Sequence, residues 1–305
     1  MIDRHASTAA LPDATRIASV ALQVGDLERS VWFYTVVIGL RPISATDGQA
    51  ALGVAGTTLV ELHELPGATP VVVLATGMYH LAILVGSRVE LGRSLARLVG
   101  RRYALGGASD HLVSEALYLS DPDGNGIEIY RDRPRADWPM LDGRPKIDTL
   151  PLDLRALLDD ARTATRPWTG LADDATLGHI HLQVHDLAAV RAFYVDLLGF
   201  EVIADMSAMG ALFVSAGGYH HHIGLNTWHS RDGSRRPTTA AGLISFEVSV
   251  GDPEALSALE GRLRAADLQP EGGDGYLSVE DPAGNTVILS ADPSSTGDAT
   301  GAEAE

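Results

Sequence analysis

The chain has 305 residues, of which 45% are hydrophobic and 21% charged, a balance typical of a folded protein of two domains. Its 23 basic and 40 acidic residues leave a net charge of -17, which argues against nucleic acid and anionic membranes as partners. The lack of cysteine excludes disulfides and thiolate ligands, so a metal would need His, Asp, Glu or backbone oxygen. No apolar run reaches the length of a membrane span and no targeting segment is recognisable, which predicts a cytoplasmic protein.

The ends of the chain differ in composition from the rest. Residues 1–15 and 293–305 carry few large apolar side chains, and we predict that both segments are disordered. Between them we predict a first domain at 16–132, a linker with a short helix at 133–172, and a second domain at 173–292.

A repeat with an offset of 160 residues relates the two halves. Residues 21–40 match residues 181–200, including an Asp-Leu pair and a Phe-Tyr pair. The turn Asp121-Pro-Asp-Gly-Asn matches Asp281-Pro-Ala-Gly-Asn at the same offset. The chain therefore contains two copies of one domain.

Each copy opens with a strand followed by a helix. Asp26 and Asp186 are the predicted N-caps, the apolar residues that follow recur at three and four positions, and Gly39 and Gly199 end the helices.

Short apolar strands follow the first helix, and a second strand and helix follow them. In the first half the predicted strands are 49–55, 57–63 and 79–85, and Ser87 with Glu90 forms a capping box at the start of the next helix. This order predicts two βαβββ modules in each half. The four modules span 16–75, 79–132, 177–228 and 242–291.

The second module closes with a hairpin at residues 110–130 that carries a carboxylate in an apolar strand. The turn Asp121-Pro-Asp-Gly-Asn-Gly separates two runs rich in Leu, Ile, Val and Tyr, and Glu128 lies in the second run. A buried, unpaired Glu would cost several kcal/mol, so a cation should meet it. The alternative is an edge strand with Glu128 facing water.

The third module opens with alternating histidines. His179, His181 and Gln183 share one face of the strand, and the intervening apolar residues share the other. The apolar face should cover the helix, and the polar face should then line a cleft or meet solvent. His80 occupies the equivalent position of His179 in the second module.

The equivalent positions in the other modules offer fewer ligands. In the opening strands these positions are Ser19 in the first module and Leu243, or a neighbour, in the fourth. In the closing strands, Glu61, His222 and Ile288 are the predicted counterparts of Glu128 in the first, third and fourth modules. The polar ligands His80, Glu128 and His179 then form two imidazoles and one carboxylate, the ligand set of non-haem Fe(II) oxygenases.

The βαβββ modules, the helix starts and the Asp-Pro-Asp-Gly-Asn-Gly-Ile-Glu-Ile-Tyr strand resemble the vicinal oxygen chelate superfamily. Within it, residues 110–130 and 217–228 resemble the extradiol catechol 2,3-dioxygenases. The resemblance implies an α+β fold in which four βαβββ modules form two glyoxalase/extradiol-dioxygenase-like domains.

The resemblance also implies a reaction and the residues that perform it. A catechol-type substrate would be opened by O₂ at a non-haem Fe(II) centre, with Mn(II) as an alternative metal and a homo-oligomer left open. The implied metal ligands are His80, Glu128 and His179. The implied catalytic residues are His221 as acid and base, with Tyr118 and His111 near the substrate oxygens. We further predict that His181, His222 and Trp228 contact the substrate.

Other interpretations stay open at this point. Tyr118 could be a packed core aromatic, and His220 or His222 could only cap a cavity. A glyoxalase-like lyase or isomerase would bind a metal with a fourth protein ligand, such as His222 or Glu61. A small-molecule binding protein without activity would need no intact ligand set.

The placement of the ligands in the sequence bears on how the modules pair. If neighbours in each half paired, His179 would lie in one cleft, and His80 and Glu128 in another. Pairing the second module with the third brings all three together, and the linker at 133–172 is long enough to permit it. We therefore predict pairing across the halves.

Overall fold

The computed structural model describes residues 10–273 and 275–291. The predicted disorder of residues 1–9 and 293–305 lies outside the described residues.

Residues 10–15 correct one predicted boundary. Leu11 is only 5% exposed and packs in the hydrophobic core, and its backbone N–H donates to the carbonyl of Gly199 at 3.1 Å. The prediction that the disordered segment extends to residue 15 is wrong, because the buried Leu11 side chain and the hydrogen bond to Gly199 hold this stretch against the second half of the chain.

The four βαβββ modules follow one another as predicted, which confirms the fold class. The first consists of β1 (Arg16–Val24), α1 (Leu27–Trp32) continued by a π-helix (Phe33–Ile38), β2 (Arg41–Thr46), β3 (Gln49–Val54) and β4 (Thr57–Glu64). The second consists of β5 (Gly77–Leu84), α2 (Arg88–Arg101), β6 (Gly107–Asp110), β7 (Ser114–Ser120) and β8 (Gly126–Asp132).

The linker contains short elements before the second half begins. They are a 3₁₀-helix (Arg135–Asp137), β9 (Met140–Leu141), β10 (Arg144–Pro145), β11 (Leu150–Pro151) and α3 (Leu154–Ala161).

The second half repeats the arrangement of the first. The third module consists of β12 (Thr176–Gln183), α4 (Leu187–Arg191) continued by a π-helix (Ala192–Leu198), β13 (Glu201–Met206), a 3₁₀-helix (Ser207–Met209), β14 (Ala211–Ser215) and β15 (Ile223–Asn226). The fourth consists of β16 (Gly242–Ser249), α5 (Pro253–Ala265), β17 (Glu271–Gly273), β18 (Tyr276–Glu280) and β19 (Thr286–Ser290).

The helix boundaries follow from the predicted caps. The Asp26 carboxylate accepts from the Arg29 N–H at 2.9 Å, and Asp186 caps α4 in the same way. Gly39 and Gly199 end the two helices with φ of 101° and 97°, a left-handed conformation that favours glycine.

The modules pair across the two halves of the chain. One sheet has the order β17-β18-β19-β16-β1-β4-β3-β2, and the other β11-β6-β7-β8-β5-β12-β15-β14-β13. Strand β5 of the second module pairs antiparallel with β12 of the third, and β1 pairs in the same way with β16. The predicted cross-half pairing is confirmed, and it puts the three candidate ligands in one sheet.

The repeated motifs hold neighbouring modules of each half together. The Tyr34 hydroxyl donates to Asp121 at 3.2 Å, and Tyr194 donates to Asp281 at 2.9 Å. Asp121 also accepts from the backbone of its own turn, including the Asn125 N–H at 2.8 Å. The Phe-Tyr and Asp-Pro-x-Gly-Asn motifs therefore join modules within a half, while the strands join modules across the halves.

One hydrophobic core cluster includes residues of all four modules and of α3 in the linker. No helix among the described residues has the length and apolarity needed to span a membrane.

Candidate metal centre

Three neighbouring strands bring the predicted ligands to one face of the nine-stranded sheet. In the order β8-β5-β12, Glu128 is level with Ala82, which is in turn level with His179, and His80 is level with His181. Side chains at paired positions share a face. His80, Glu128 and His179 are buried, with 7%, 2% and 2% exposure. Glu128 thus belongs to a central strand, and the alternative that it faces water on an edge strand is wrong.

The three ligand atoms form a tight triangle. His80 Nε2 lies 3.3 Å from His179 Nε2, and Glu128 Oε2 lies 3.1 Å and 3.0 Å from these two nitrogens. Donor atoms at right angles around a metal, with bonds of about 2.1 Å, lie about 3.0 Å apart. The two imidazoles and the carboxylate therefore fit a divalent transition metal. In the described part of the chain, no other group of three or more His, Asp or Glu residues has its ligand atoms within 4.8 Å of one another.

A β-bulge at Gly178 makes room beneath this triangle. The pairing of β12 with β5 shifts between Leu177 and His179, so Gly178 has no partner opposite it. A Cβ at Gly178 would overlap the Tyr130 hydroxyl oxygen. The Tyr130 ring packs against His179 with a centroid distance of 4.9 Å. Glycine at this position lets Tyr130 support the ligand ring.

Burial and charge act in opposite directions on these groups. Burial alone would raise the pKa of Glu128, but the imidazoles of His179 and His80 hold it well below its usual value. Burial lowers the pKa of His179 to about 4 despite the neighbouring Glu128 carboxylate. The centre therefore presents a carboxylate and a neutral His179 imidazole at neutral pH, the forms that bind metals.

His221 lies beside the triangle in a chain of hydrogen bonds. Its ring packs against His179 with a centroid distance of 4.1 Å. Its Nδ1 lies 2.8 Å from Nδ1 of His220, whose Nε2 lies 2.8 Å from Oδ1 of Asp132. Burial, followed by the neighbouring His179 and His220 side chains, lowers the pKa of His221 well below its usual value. The predicted acid–base residue is thus at the centre, and its ring position depends on two residues behind it.

Tyr118 and His111 form a second pair on the other side of Glu128. The Tyr118 hydroxyl lies 2.6 Å from His111 Nε2, and His111 Nδ1 lies 2.7 Å from the Asp148 carbonyl oxygen. Because a carbonyl only accepts, His111 donates from Nδ1, and in the neutral form of the ring its Nε2 is an acceptor that faces the Tyr118 hydroxyl. Burial and then Glu128 raise the pKa of Tyr118 well above its usual value, so the hydroxyl stays protonated.

An aromatic wall borders the centre along β12. The ring of His181 contacts those of Tyr79, Trp228 and Phe213 at centroid distances of 5.2, 5.5 and 5.7 Å. His181 Nε2 is buried without a hydrogen-bond partner among the described residues. Trp228 is 46% exposed. His181 therefore lies against the candidate ligand His80, with ring centroids 5.0 Å apart, and Trp228 lies against His181.

His222 does not join this group. Its Nδ1 accepts from the Ala216 N–H at 3.2 Å and lies 2.9 Å from the Ser215 hydroxyl, and its ring packs on Tyr219. It lines a separate cavity of about 360 Å³. The strand register makes Gly224, and not His222, the counterpart of Glu128 in the third module. That prediction was wrong because the His run precedes β15 and its register could not be read from residue types.

Two further predicted equivalences concern the other sheet. Glu61 is the counterpart of Glu128 in the first module, as predicted, but its side chain is 47% exposed and lies 3.6 Å from His63. The counterpart of His80 in the fourth module is Ser245 and not Leu243, since Phe246 is paired with Val287 as Leu81 is with Ile127. The eight-stranded sheet therefore lacks the ligand set at the equivalent positions.

Several residues around the centre were not predicted. Strand alternation from Glu128 could have identified Tyr130 and Asp132, which share its face. Tyr79 belongs to the aromatic wall because a second bulge in the pairing of β5 with β12, opposite His181 and Leu182, leaves it unpaired. No local pattern indicates such a bulge.

Comparisons with known proteins agree with this architecture. Residues 16–129 and 176–289 match the family model described as Glyoxalase/Bleomycin resistance protein/Dioxygenase superfamily. The chain is 45% identical over 280 residues to a protein of Bacillus subtilis (strain 168) named catechol-2,3-dioxygenase, covering 90% of this chain and 96% of that one.

Two solved structures share the fold. A candidate dioxygenase from Bacillus subtilis subsp. subtilis str. 168 has a TM-score of 0.65 at 14% identity, covering 93% of this chain and 87% of that one. Glyoxalase I from Zea mays has a TM-score of 0.55 at 17% identity, covering 91% and 92%.

Proposed function

Since the chain belongs to the glyoxalase/bleomycin resistance protein/dioxygenase superfamily, we propose that it cleaves a catechol-type substrate by extradiol ring opening with O₂ at a non-haem Fe(II) centre. The observation that carries the proposal is the triangle of His80, Glu128 and His179, with His221 and Tyr118 beside it. The similarity to a protein named catechol-2,3-dioxygenase supports the choice of substrate.

The three ligands would hold Fe(II), with Mn(II) as the alternative metal. Iron so bound would supply Lewis acidity toward the two catechol oxygens and electrons for the reaction with O₂. His221 accepts the proton that a catechol hydroxyl releases and returns it to the developing product. The Tyr118 hydroxyl, which lies 2.6 Å from His111 Nε2, would accept a hydrogen bond from the substrate.

The remaining aspects of the proposal follow from the composition and the site. A substrate ring placed over the triangle would meet His181 and Trp228, which we propose as substrate contacts. The net charge of -17 argues against nucleic acid and anionic membranes as partners, and we propose a cytoplasmic enzyme. Gel filtration would show whether it forms a homo-oligomer.

The rival functions have less support from the site. A glyoxalase-like enzyme would use a fourth protein ligand, but Glu61 lies in the other sheet and His222 is held by Ser215 and Ala216. A binding protein without activity would not need three buried ligands at metal-binding distances.

The test combines metal analysis with turnover. We expect about one iron per chain after anaerobic loading, and O₂ uptake with formation of a muconic semialdehyde when catechol is added. We expect lower iron content and a loss of ring cleavage of more than about 100-fold in each of His80→Ala, Glu128→Ala and His179→Ala. Removing a metal ligand should reduce activity more than changing a residue that only supports the ligand. His185→Ala, an exposed histidine just past β12, is the matched control and should behave as wild type. Full activity in His80→Ala would refute the ligand set, and metal binding without O₂ uptake would refute the dioxygenase function.

A further inference from the structure

The hydrogen bonds behind His221 determine which of its nitrogens carries the proton. We propose that Asp132, acting through His220, holds His221 in the tautomer whose Nε2 is unprotonated, so that Asp132 and His220 are positioning residues for the acid–base group. The proposal rests on the proposed function for the role of His221, but the geometry behind it is independent of the substrate.

The chain of hydrogen bonds behind His221 starts at Asp132. Its Oδ1 lies 2.8 Å from His220 Nε2, and its Oδ2 accepts from the Tyr219 hydroxyl at 2.9 Å. A carboxylate is only an acceptor, so His220 must donate from Nε2. Asp132 lines the cavity of about 360 Å³ and its side chain is 23% exposed, which keeps the carboxylate in contact with water.

His220 transmits this constraint. A neutral imidazole has one donor and one acceptor nitrogen, so a ring that donates from Nε2 accepts at Nδ1. The partner of His220 Nδ1 is His221 Nδ1 at 2.8 Å, which must then be the donor. The proton of His221 therefore lies on Nδ1, and its Nε2 is left as a base.

Packing prevents the rings from turning away from this arrangement. The His220 side chain is fully buried, with Tyr219 at a centroid distance of 4.1 Å on one side and Trp138 at 5.4 Å. His221 packs between His179 and Phe213, at 4.1 Å and 5.2 Å. A ring flip in either histidine would break its hydrogen bonds without gaining a new partner that the structure shows.

The test measures the tautomer directly in metal-free protein. Two-bond ¹H–¹⁵N correlation spectra of ¹⁵N-histidine-labelled protein distinguish a proton on Nδ1 from one on Nε2, and His221→Ala assigns the signals. We expect Nδ1–H for His221 in the wild type, and loss of this preference in Asp132→Ala and in His220→Phe. Asp137→Asn, an exposed carboxylate on the adjacent 3₁₀-helix, is the control and should leave the tautomer unchanged.

Turnover provides the second measurement. With iron loaded, Asp132→Ala and His220→Phe should lower kcat about 10- to 100-fold, the range for residues that orient a functional group, while iron content and KM stay near wild type. An Nε2–H tautomer of His221 in the wild type would overturn the proposal. So would an unchanged tautomer in both variants. If no catechol is cleaved by any form, the proposed function fails, while the spectra still decide the tautomer.

Discussion

At the scale of single residues, burial that no opposite charge offsets lowers the pKa of several histidines. His222 has a pKa of about 3, because burial and then the neighbouring His220 disfavour its cation, and its Nδ1 already accepts from Ala216. Protonation of the folded protein at this position would require breaking that bond.

This predicts a pH dependence of stability in the metal-free protein. Between a pKa of about 6.5 for an unfolded histidine and about 3 in the fold, the unfolded chain binds a proton that the folded chain does not. The free energy of unfolding should therefore fall as pH falls from 6.5 toward 3, by up to about 1.4 kcal/mol per pH unit from His222 alone. Urea unfolding of His222→Gln over this range should show a shallower slope than wild type. The exposed His185, changed to Gln, serves as the control and should leave the slope unchanged; equal slopes for all three proteins would contradict the prediction.

At the scale of elements, the bulge in β12 shapes the centre as much as the ligands do. Gly178 interrupts the pairing with β5 and leaves space that the Tyr130 hydroxyl fills, and this hydroxyl lies 2.7 Å from that of Tyr219. The course of the strand therefore depends on Gly178, which has no side chain. So do the positions of the ligand His179 and of the Tyr130 ring beneath it.

We expect Gly178→Ala to displace Tyr130 and with it His179. Because the added methyl group has no free space, the free energy of unfolding should be about 1 to 3 kcal/mol lower than in wild type, and iron content should fall. Gly261→Ala in α5 is the matched control, since no atom outside the adjoining helix backbone lies within 4 Å of the added carbon and alanine favours a helix. Denaturant unfolding and metal analysis measure both effects. Wild-type stability and iron content in Gly178→Ala would show that the bulge has no such role.

At the scale of the whole molecule, the centre is assembled from both halves of the chain. β5 and β8 pair within the second module and carry His80 and Glu128, whereas β12 carries His179 and joins them only through its cross-half pairing with β5. Each half alone would also leave β1 and β5, or β12 and β16, without their antiparallel partners.

Separated halves should therefore lack the centre. We expect residues 1–132 and 133–305, expressed alone, to bind little iron, because two ligands or one hold a metal weakly. Co-expression of the two fragments should restore binding of about one iron per pair and some ring cleavage. Iron analysis of the purified fragments and of their complex tests this, and stoichiometric iron on residues 1–132 alone would contradict it.

The local structure and the candidate ligands could be predicted from the residue types alone. Caps such as Asp26, the left-handed Gly39 and the alternation around His179 depend on neighbours in the chain, so the residue types were sufficient. The choice of His80, Glu128 and His179 followed from a carboxylate and two imidazoles that stand in apolar strands, and it also indicated which modules should pair.

The surroundings of the centre depend on packing between distant segments and could not be predicted from the residue types. The register before β15 places His221 against His179 and directs His222 to another cavity. The bulges at Gly178 and Tyr79 change which side chains of β12 and β5 lie on the same face of the sheet. The bond from His220 to Asp132 joins residues 88 positions apart. Contacts of this kind depend on strand register and packing between distant segments, and no pattern of neighbouring residues carries that information.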